Sequence, residues 1–529
     1  MLASQVFDLI IIGAGINGAG IARDAAMRGL SVLLLDKDDI GSGTSSWSTR
    51  LIHGGLRYLE HGEFGLVRES LRERETLQRI APHLVRPLPI LIPVYKGTKR
   101  GRATIRAGML AYDLLSVGKN LPHHRMLSRA ETLAETPALN PEGLLGAAVY
   151  YDTQVEFAER LVLENVLAAI DQEATVLTHS RVVDFLIEHG QITAVKYVVV
   201  STGESRIALG KIFVNAAGPW VDQLLEHTGV GRVRLIGGTK GSHIVLAPFP
   251  GAPGMALYVE AKSDGRPFFI IPWNGNYLIG TTDVRFENDL DQVHAEGWEV
   301  DYLLAETNRV FPRSLLTRNH ILYAYSGVRP LPFSNDGAER SITRRHFVRE
   351  HPNLRNLISI VGGKLTTYRS LAEECVDLLF SKLRKQPYPC RTAHVALPGA
   401  VDFSSRAGQF LSASNFPGPV NNRLLRIYGI RATEIAELCS RDERLAGTFN
   451  QPGDALAAEV LFSFKVELAE TLTDCLLRRT MIGLNSDLAI GDDVLAAEIG
   501  RKFLGWNEAR ARDEVKMYRD YVERMRVLG

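Results

Sequence analysis

Six residues near the start of the chain, Gly13-Ala14-Gly15-Ile16-Asn17-Gly18, have the spacing G-x-G-x-x-G. Alone the pattern carries little, because the 47 glycines of the chain produce chance matches. Here a largely apolar run, Val6 to Ile12, precedes it, and a segment of helical character, Ile16 to Arg28, follows and is closed by Gly29. A second apolar run, Ser31 to Leu35, ends at Asp36. This is the strand–turn–helix–strand setting in which the pattern grips a dinucleotide. Gly13 allows the tight turn, Gly15 the close approach of backbone to a pyrophosphate, and Gly18 the packing of helix on strand. The pyrophosphate would rest at the positive end of the helix dipole. Asp36 would accept both hydroxyl protons of an adenosine ribose, which disfavours NADP and leaves NAD and FAD. No second copy of the pattern follows, so one cofactor has to carry the electrons. That favours a tightly held flavin exchanging with successive partners.

A second set of reactive residues follows in the stretch Gly43 to Glu60, which holds Thr44, Ser45, Ser46, His53, Gly54, Gly55, Arg57 and Tyr58. Small and hydroxyl residues before a glycine pair suit a loop lying against a flat cofactor. Their donors can bond phosphate or ring heteroatoms. A mere linker has no need of His53, Arg57 and Tyr58 among its glycines.

The elements that position these residues are legible more coarsely. The chain has 529 residues, enough for two to four domains at roughly 150 residues each. Its 45% hydrophobic and 23% charged shares are those of an ordinary globular protein with a large core. Lys and Arg number 61 against 60 Asp and Glu, so there is no global field for gripping a nucleic-acid backbone, and no nucleic-acid partner is expected. Four scattered cysteines without a C-x-x-C pair suit a reducing compartment and argue against a zinc site, so no metal is expected. Leu9 to Ala22 is apolar, but no Lys or Arg precedes it and its glycines suit a signal helix poorly. No stretch approaches the ~20 apolar residues of a membrane span, and peripheral attachment stays open. Strands are expected at Thr175–Leu177, Arg181–Glu188, Ile192–Ser201, Arg206–Asn215, His243–Leu246, Pro267–Ile271 and Tyr277–Gly280, and a helix over Leu365–Lys382 after Gly362–Gly363. Pro398–Pro419 reads as loop, and Arg423–Leu528 as amphipathic helices. No internal repeat or low-complexity tract is visible.

The chain resembles the FAD-dependent glycerol-3-phosphate dehydrogenases of the aerobic, quinone-linked type. The resemblance rests on Ile11–Arg23, Ser45–Glu63, NAAGPWV (215–221), KGSHIV (240–245), IGTTDV (279–284), YSGVRPL (325–331), SITR (341–344) and SIVGGKLTTYR (359–369), with LLRRTMIG (476–483) a looser match. It implies an α/β (α+β) fold: a Rossmann-like FAD-binding domain of the glycine-oxidase type, a mixed-sheet substrate domain and an α-helical C-terminal domain. The expected division is 1–390, with a discontinuous FAD part and a substrate part at roughly 232–346, and 391–529. It implies oxidation of sn-glycerol 3-phosphate to dihydroxyacetone phosphate, with electrons passing through FAD to ubiquinone. The place of that reaction would be the cytoplasmic face of the inner membrane, with the protein bound peripherally as a homodimer.

A phosphate substrate wants Arg forks, Lys and hydroxyl donors. The resemblance places Arg57, Tyr58, Arg329, Arg344, Lys364 and Thr366 at the substrate, although Arg345 adjoins Arg344 and only the match chooses between them. His53 and His243 are candidate bases for the hydroxyl proton, each equally readable as a hydrogen-bonded core histidine. Arg329 could instead stabilise an alkoxide, so the base stays unassigned. The expected FAD contacts are Gly13 to Gly18, Asp36, Lys37, Thr44, Ser45, Ser46, His53, Gly54, Val183, Ala217, Gly218, Gly363, Leu365 and Thr366. A helix following Gly362–Gly363 would aim its N-terminus at the flavin.

Tyr95–Leu115 gathers Lys96, Lys99, Arg100, Arg102 and Arg106 before an apolar run, as a basic amphipathic surface segment would. The nearest alternative activity is that of an α-glycerophosphate oxidase delivering electrons to oxygen. The absence of a large insertion between the matched blocks favours the dehydrogenase. An amino-acid oxidase fits the cationic blocks less well, and a tRNA-modifying or non-catalytic flavoprotein fits the neutral charge less well.

Overall fold

The computed structural model describes residues 5–56, 62–98, 100–116, 121–229, 234–334, 345–449 and 453–527. Two sheets organise the chain. In the first, of eight strands, the order is Phe347–His351, Leu354–Val361, Ser205–Asn215, Val6–Ile12, Val32–Leu35, Thr175–Leu177. The inner pairings from Leu354–Val361 to Thr175–Leu177 are parallel. A hairpin, Ser180–Glu188 and Gln191–Val199, continues antiparallel from the start of Ser205–Asn215.

The apolar run at the start of the chain follows from burial on both faces. Leu9 and Ile11 pack among the helices Ile16–Met27, Ala158–Ile170 and Tyr368–Leu383, while Ile10 and Ile12 face Val182, Phe185 and Tyr197 of the hairpin. The strand has the bounds expected, Val6–Ile12, and the first helix runs Ile16–Met27, one residue short of the expected Arg28, which caps it.

The second sheet has ten strands and takes in Val85–Tyr95 and Leu144–Val155 as well as the strands between 239 and 329. Its pairings are antiparallel except where Ala256–Glu260 meets Val85–Tyr95. One face carries the helix Gly297–Val310, through Val300, Leu303 and Leu304. The other face shares one core with the C-terminal helices, from Ile90, Tyr150 and Tyr323 to Leu424, Leu476 and Tyr518.

Three expectations need correction. The helix after the Gly362–Gly363 turn begins at Tyr368, not Leu365, because residues 365–367 form the turn that leads into it. Pro398–Pro419 is not all loop: Phe403–Ala413 is a helix. Its serines and Gly408 dilute the apolar period, and Phe410 alone is fully buried along it. The following helix starts at Gly418 rather than Arg423, and a two-stranded ribbon, Thr448–Phe449 with Ala455–Leu456, interrupts the helical region.

Candidate active site

A cavity of about 770 Å³ runs between the first sheet, the second sheet and the C-terminal helices. That lies within the ~300–1,000 Å³ of cavities that enclose a sizeable ligand. Gly13, Gly15, Ile16, Asn17, Asp36, Lys37, Thr44, Ser45, Ala217, Gly218, Gly363, Lys364 and Leu365 all line it. Segments hundreds of residues apart in the chain therefore meet where the sequence places a dinucleotide.

At one end recognition is by backbone. Gly13 has φ +110°, and a Cβ there would stand 2.5 Å from the Ala216 carbonyl oxygen. A Cβ on Gly18 would collide with the carbonyl oxygen of residue 13, so helix and turn touch only because residue 18 is glycine. The Asp36 carboxylate accepts from Ala14 N (2.6 Å) and Asp38 N (2.9 Å). Burial pushes its pKa up to about 6 despite those two amides. Ser45 Oγ accepts from Ile16 N (3.0 Å), tying the hydroxyl-rich loop to the first turn of the helix. Thr44 Oγ1 donates to Val328 O (2.6 Å), joining that loop to the second sheet. Lys37 bonds Asp291 and lies over the Trp220 ring at 4.6 Å. In the hairpin the register slips at Val183, leaving it opposite no ladder partner, and its neighbours Arg181 and Val182 line the cavity.

At the other end recognition is by side chains. His243 is buried (2% exposed) on the strand Thr239–Leu246. Its ring stacks on Tyr325, which lines the cavity, at 4.9 Å, and its Nε2 meets Thr49 Oγ1 at 3.0 Å. Burial holds the ring well below the usual histidine pKa, reinforced by the positive charges of Arg329 and Arg50, so it is neutral at physiological pH. Among the described residues its Nδ1 is buried without a hydrogen-bond partner.

Arg329 closes the strand Ile321–Arg329 and donates to Asp283 (3.1 Å) and Thr281 Oγ1 (2.9 Å). Gly241 makes this possible, since a Cβ there would occupy the place of the guanidinium; Gly280 does the same for the His243 ring. The matched blocks around 241, 280 and 329 thus form one packed cluster. Lys364 lines the cavity with its ammonium buried. Thr366 Oγ1 accepts from His53 N (3.2 Å).

His53, His243, Arg329 and Thr366 are not among the lining residues but adjoin them: the His243 ring stacks on Tyr325, and Arg329 lies between Val328 and Pro330, all three of which line the cavity. Two further expected contacts serve the scaffold: Ser46 Oγ donates to Gly41 O (2.6 Å), and Gly54 N donates to Tyr112 OH and Asp152. Arg57, Tyr58 and Arg344 lie outside the described residues.

Sequence reasoning did not find Asp283 and Thr281, which hold Arg329, or the pair beneath His243. There Arg50 and Glu159, both at most 1% exposed, meet through two 2.7 Å bonds, with the guanidinium 4.6 Å over Trp273. The signal for the first two was an acidic residue following two threonines inside an otherwise apolar strand region. For Arg50 and Glu159 there was none. Thr471, Asp474, Arg478, Tyr521 and Arg524 of the C-terminal region also line the cavity, and they too were missed.

The donor set fits FAD: a glycine cradle, an acid at the ribose position, hydroxyl donors, and a second glycine turn at Gly362–Gly363, where φ is +76° and +99°. No helix of the described residues is long and apolar enough to cross a membrane.

Comparison with known proteins agrees. Residues 8–378 match the family model for FAD dependent oxidoreductases, and residues 390–511 that for the C-terminal domain of alpha-glycerophosphate oxidase. The glycerol-3-phosphate dehydrogenase of a Synechocystis strain is 46% identical over 99% of this chain and 97% of its own. The D-erythritol 1-phosphate dehydrogenase of Brucella abortus is 37% identical over 91% of this chain and 95% of its own. The crystal structure of the glycerol-3-phosphate dehydrogenase from Bacillus halodurans, complexed with FAD, superposes with a TM-score of 0.80 at 27% identity, covering 99% of this chain and 96% of that one. Matched along nearly its whole length and built around a cofactor cavity of the right shape and chemistry, this chain belongs to the FAD-dependent glycerol-3-phosphate dehydrogenase family.

Proposed function

We propose that the protein oxidises sn-glycerol 3-phosphate to dihydroxyacetone phosphate and passes the electrons to ubiquinone at the cytoplasmic membrane. The observation that carries this reading is the cluster in which Arg329, Thr281, Asp283 and His243 pack together beside a cavity that also holds Lys364. Cations suit a phosphate dianion. A neutral imidazole suits the proton of a secondary hydroxyl. FAD, when bound, supplies the acceptor for the hydride on the substrate carbon. Lys364 and Arg329 bind and orient the phosphate, and Asp283 and Thr281 fix the guanidinium. His243 holds the hydroxyl proton, kept neutral beforehand by burial and by Arg329 and Arg50.

A relative in Brucella abortus is named for D-erythritol 1-phosphate, so a longer polyol phosphate is the second substrate to test. The match of residues 390–511 to an oxidase domain favours, as a second reading, electron transfer to oxygen. One experiment separates them. The purified yellow protein is bleached without oxygen by glycerol 3-phosphate or by erythritol phosphate, then reoxidised with a quinone analogue or with air. Bleaching by neither substrate overturns the proposal, and reoxidation by air alone with peroxide release replaces the acceptor.

We assign the boundary between the catalytic and C-terminal domains to about residue 390, and a homodimer as the working assembly. Membrane attachment falls to the helix Arg102–Leu114. Only Met109 and Tyr112 of this helix are buried, while Leu110 and Leu114 are 55% and 73% exposed beside Arg102 and Arg106. Replacing Lys96, Arg102 and Arg106 by Gln is expected to weaken binding to anionic liposomes by about 1 kcal/mol per charge, and unchanged flotation refutes the assignment.

A further inference from the structure

The loop after Asp36 and the strand start at Ser180 are the two segments that close on the adenosine end of the cavity. They are stitched together by backbone bonds, His179 N to Asp38 O (2.8 Å) and Ser180 N to Asp36 O (2.7 Å). Both are also held from outside by the C-terminal region. Asp39, fully buried, accepts from Arg478 Nε (2.6 Å) and from both terminal nitrogens of Arg479 (2.8 and 2.7 Å). Arg478 also donates to Asp474 (2.8 Å), and Asp474 shares a hydrogen bond with the His179 ring (2.9 Å). Thr178 Oγ1 donates to Glu470 (2.7 Å). Asp39, His179, Asp474 and Arg478 all line the cavity.

Every member of this chain of charges has a partner of opposite sign, and Asp39, Asp474, Arg478 and Arg479 are at most 5% exposed. Buried charges of this kind are costly to form and strongly destabilising to break singly, so they specify one arrangement of what they join. What they join here is the ribose-side loop and a domain that the dinucleotide fingerprint does not include.

We propose that the C-terminal domain is part of the cofactor site, and that the Asp39–Arg478–Asp474–His179 clamp governs retention of the dinucleotide through its adenosine half. Arg479 and Asp474 are positioning residues: they fix the loop that presents Asp36 rather than act on the substrate. The inference rests on the reading of the cavity as the FAD site and adds which half the domain controls.

The test uses apoprotein of the full chain, titrated with FAD by flavin fluorescence and separately with ADP by calorimetry. For Arg478→Gln both dissociation constants are expected to rise by about tenfold or more, as for the loss of one charge-assisted hydrogen bond. Arg478→Lys is expected to restore part of the loss. If Arg478→Gln fails to fold, His179→Gln and Thr178→Val carry the measurement and shift both constants in the same direction by less. A lowered melting temperature with wild-type ADP affinity is what a merely structural contact gives, and it overturns the proposal. Wild-type protein that binds neither FAD nor ADP overturns instead the reading of the cavity itself.

Discussion

The two ends of the cavity are built on different principles. At the end that carries the glycine fingerprint, the proposed adenosine end, the contacts come from backbone: a turn whose glycines leave no room for a Cβ, a bulge at Val183, and amides of Ala14 and Asp38 on one carboxylate. At the end that carries His243 and Arg329 they come from side chains whose charges are already matched by neighbours, Arg329 by Asp283 and Arg50 by Glu159. The first end is specified by a few consecutive residues. The second exists only when four strands from distant parts of the chain are in register, with His243 opposite Tyr325 and Gly280. A cavity divided in this way can keep one end fixed while the other is retuned.

The contrast can be broken first at Arg50. Arg50→Met leaves Glu159 as an uncompensated charge in the core and is expected to cost about 3–5 kcal/mol of stability. Urea denaturation measures it, and a loss under 1 kcal/mol would show that the pair is incidental. The double change Arg50→Met with Glu159→Leu is expected to recover most of the loss.

Arg329→Ala is the next largest. Under the proposed function its loss removes a charge-assisted partner of the phosphate, so about a hundredfold more substrate is expected for half-bleaching of the flavin under anaerobic titration. Bleaching at parental concentrations would remove Arg329 from the site. Bound FAD should be retained, because the adenosine end is untouched.

The smallest effect sharpens the adenosine end through pH. Asp36 has its carboxyl pushed up to about 6 from 3.8 in the FAD-free fold, chiefly by burial. Ribose hydroxyls need its ionised form, so FAD affinity is expected to fall as pH drops below 6, by up to about tenfold per pH unit. For the apoprotein the sign reverses: a raised carboxyl pKa stabilises the fold fully below pH 3.8, and that contribution is lost as pH rises through 6. A flat FAD affinity between pH 5 and 7 in Asp36→Asn beside a sloping wild type would confirm the residue; parallel slopes would exclude it.

The same division decides what could be read from sequence. The fingerprint was legible because strand, turn, helix and acid fall within 30 residues and each obeys a local rule of sterics or dipole. The hairpin at His189–Gly190 was legible for the same reason, both residues having positive φ. Val85–Tyr95 was not, since Pro87, Pro89 and Pro93 argue against a strand inside a sheet. The structure tolerates them because Ala256–Glu260 engages only Ile90 and Leu91 on the second edge of that strand. The family blocks pointed to Arg329 and His243, but not to Asp283 or Arg50 as their supports. Those contacts are tertiary and leave no periodicity. The clamp on Asp39 was invisible for a further reason: Arg478 and Arg479 read as solvated charges on an amphipathic helix until its neighbours are known.

Gly13 and Arg524 border one cavity although the ribosome makes the first long before the second. The enclosure is therefore complete only once the C-terminal helices have packed against the segment that carries the glycine turn.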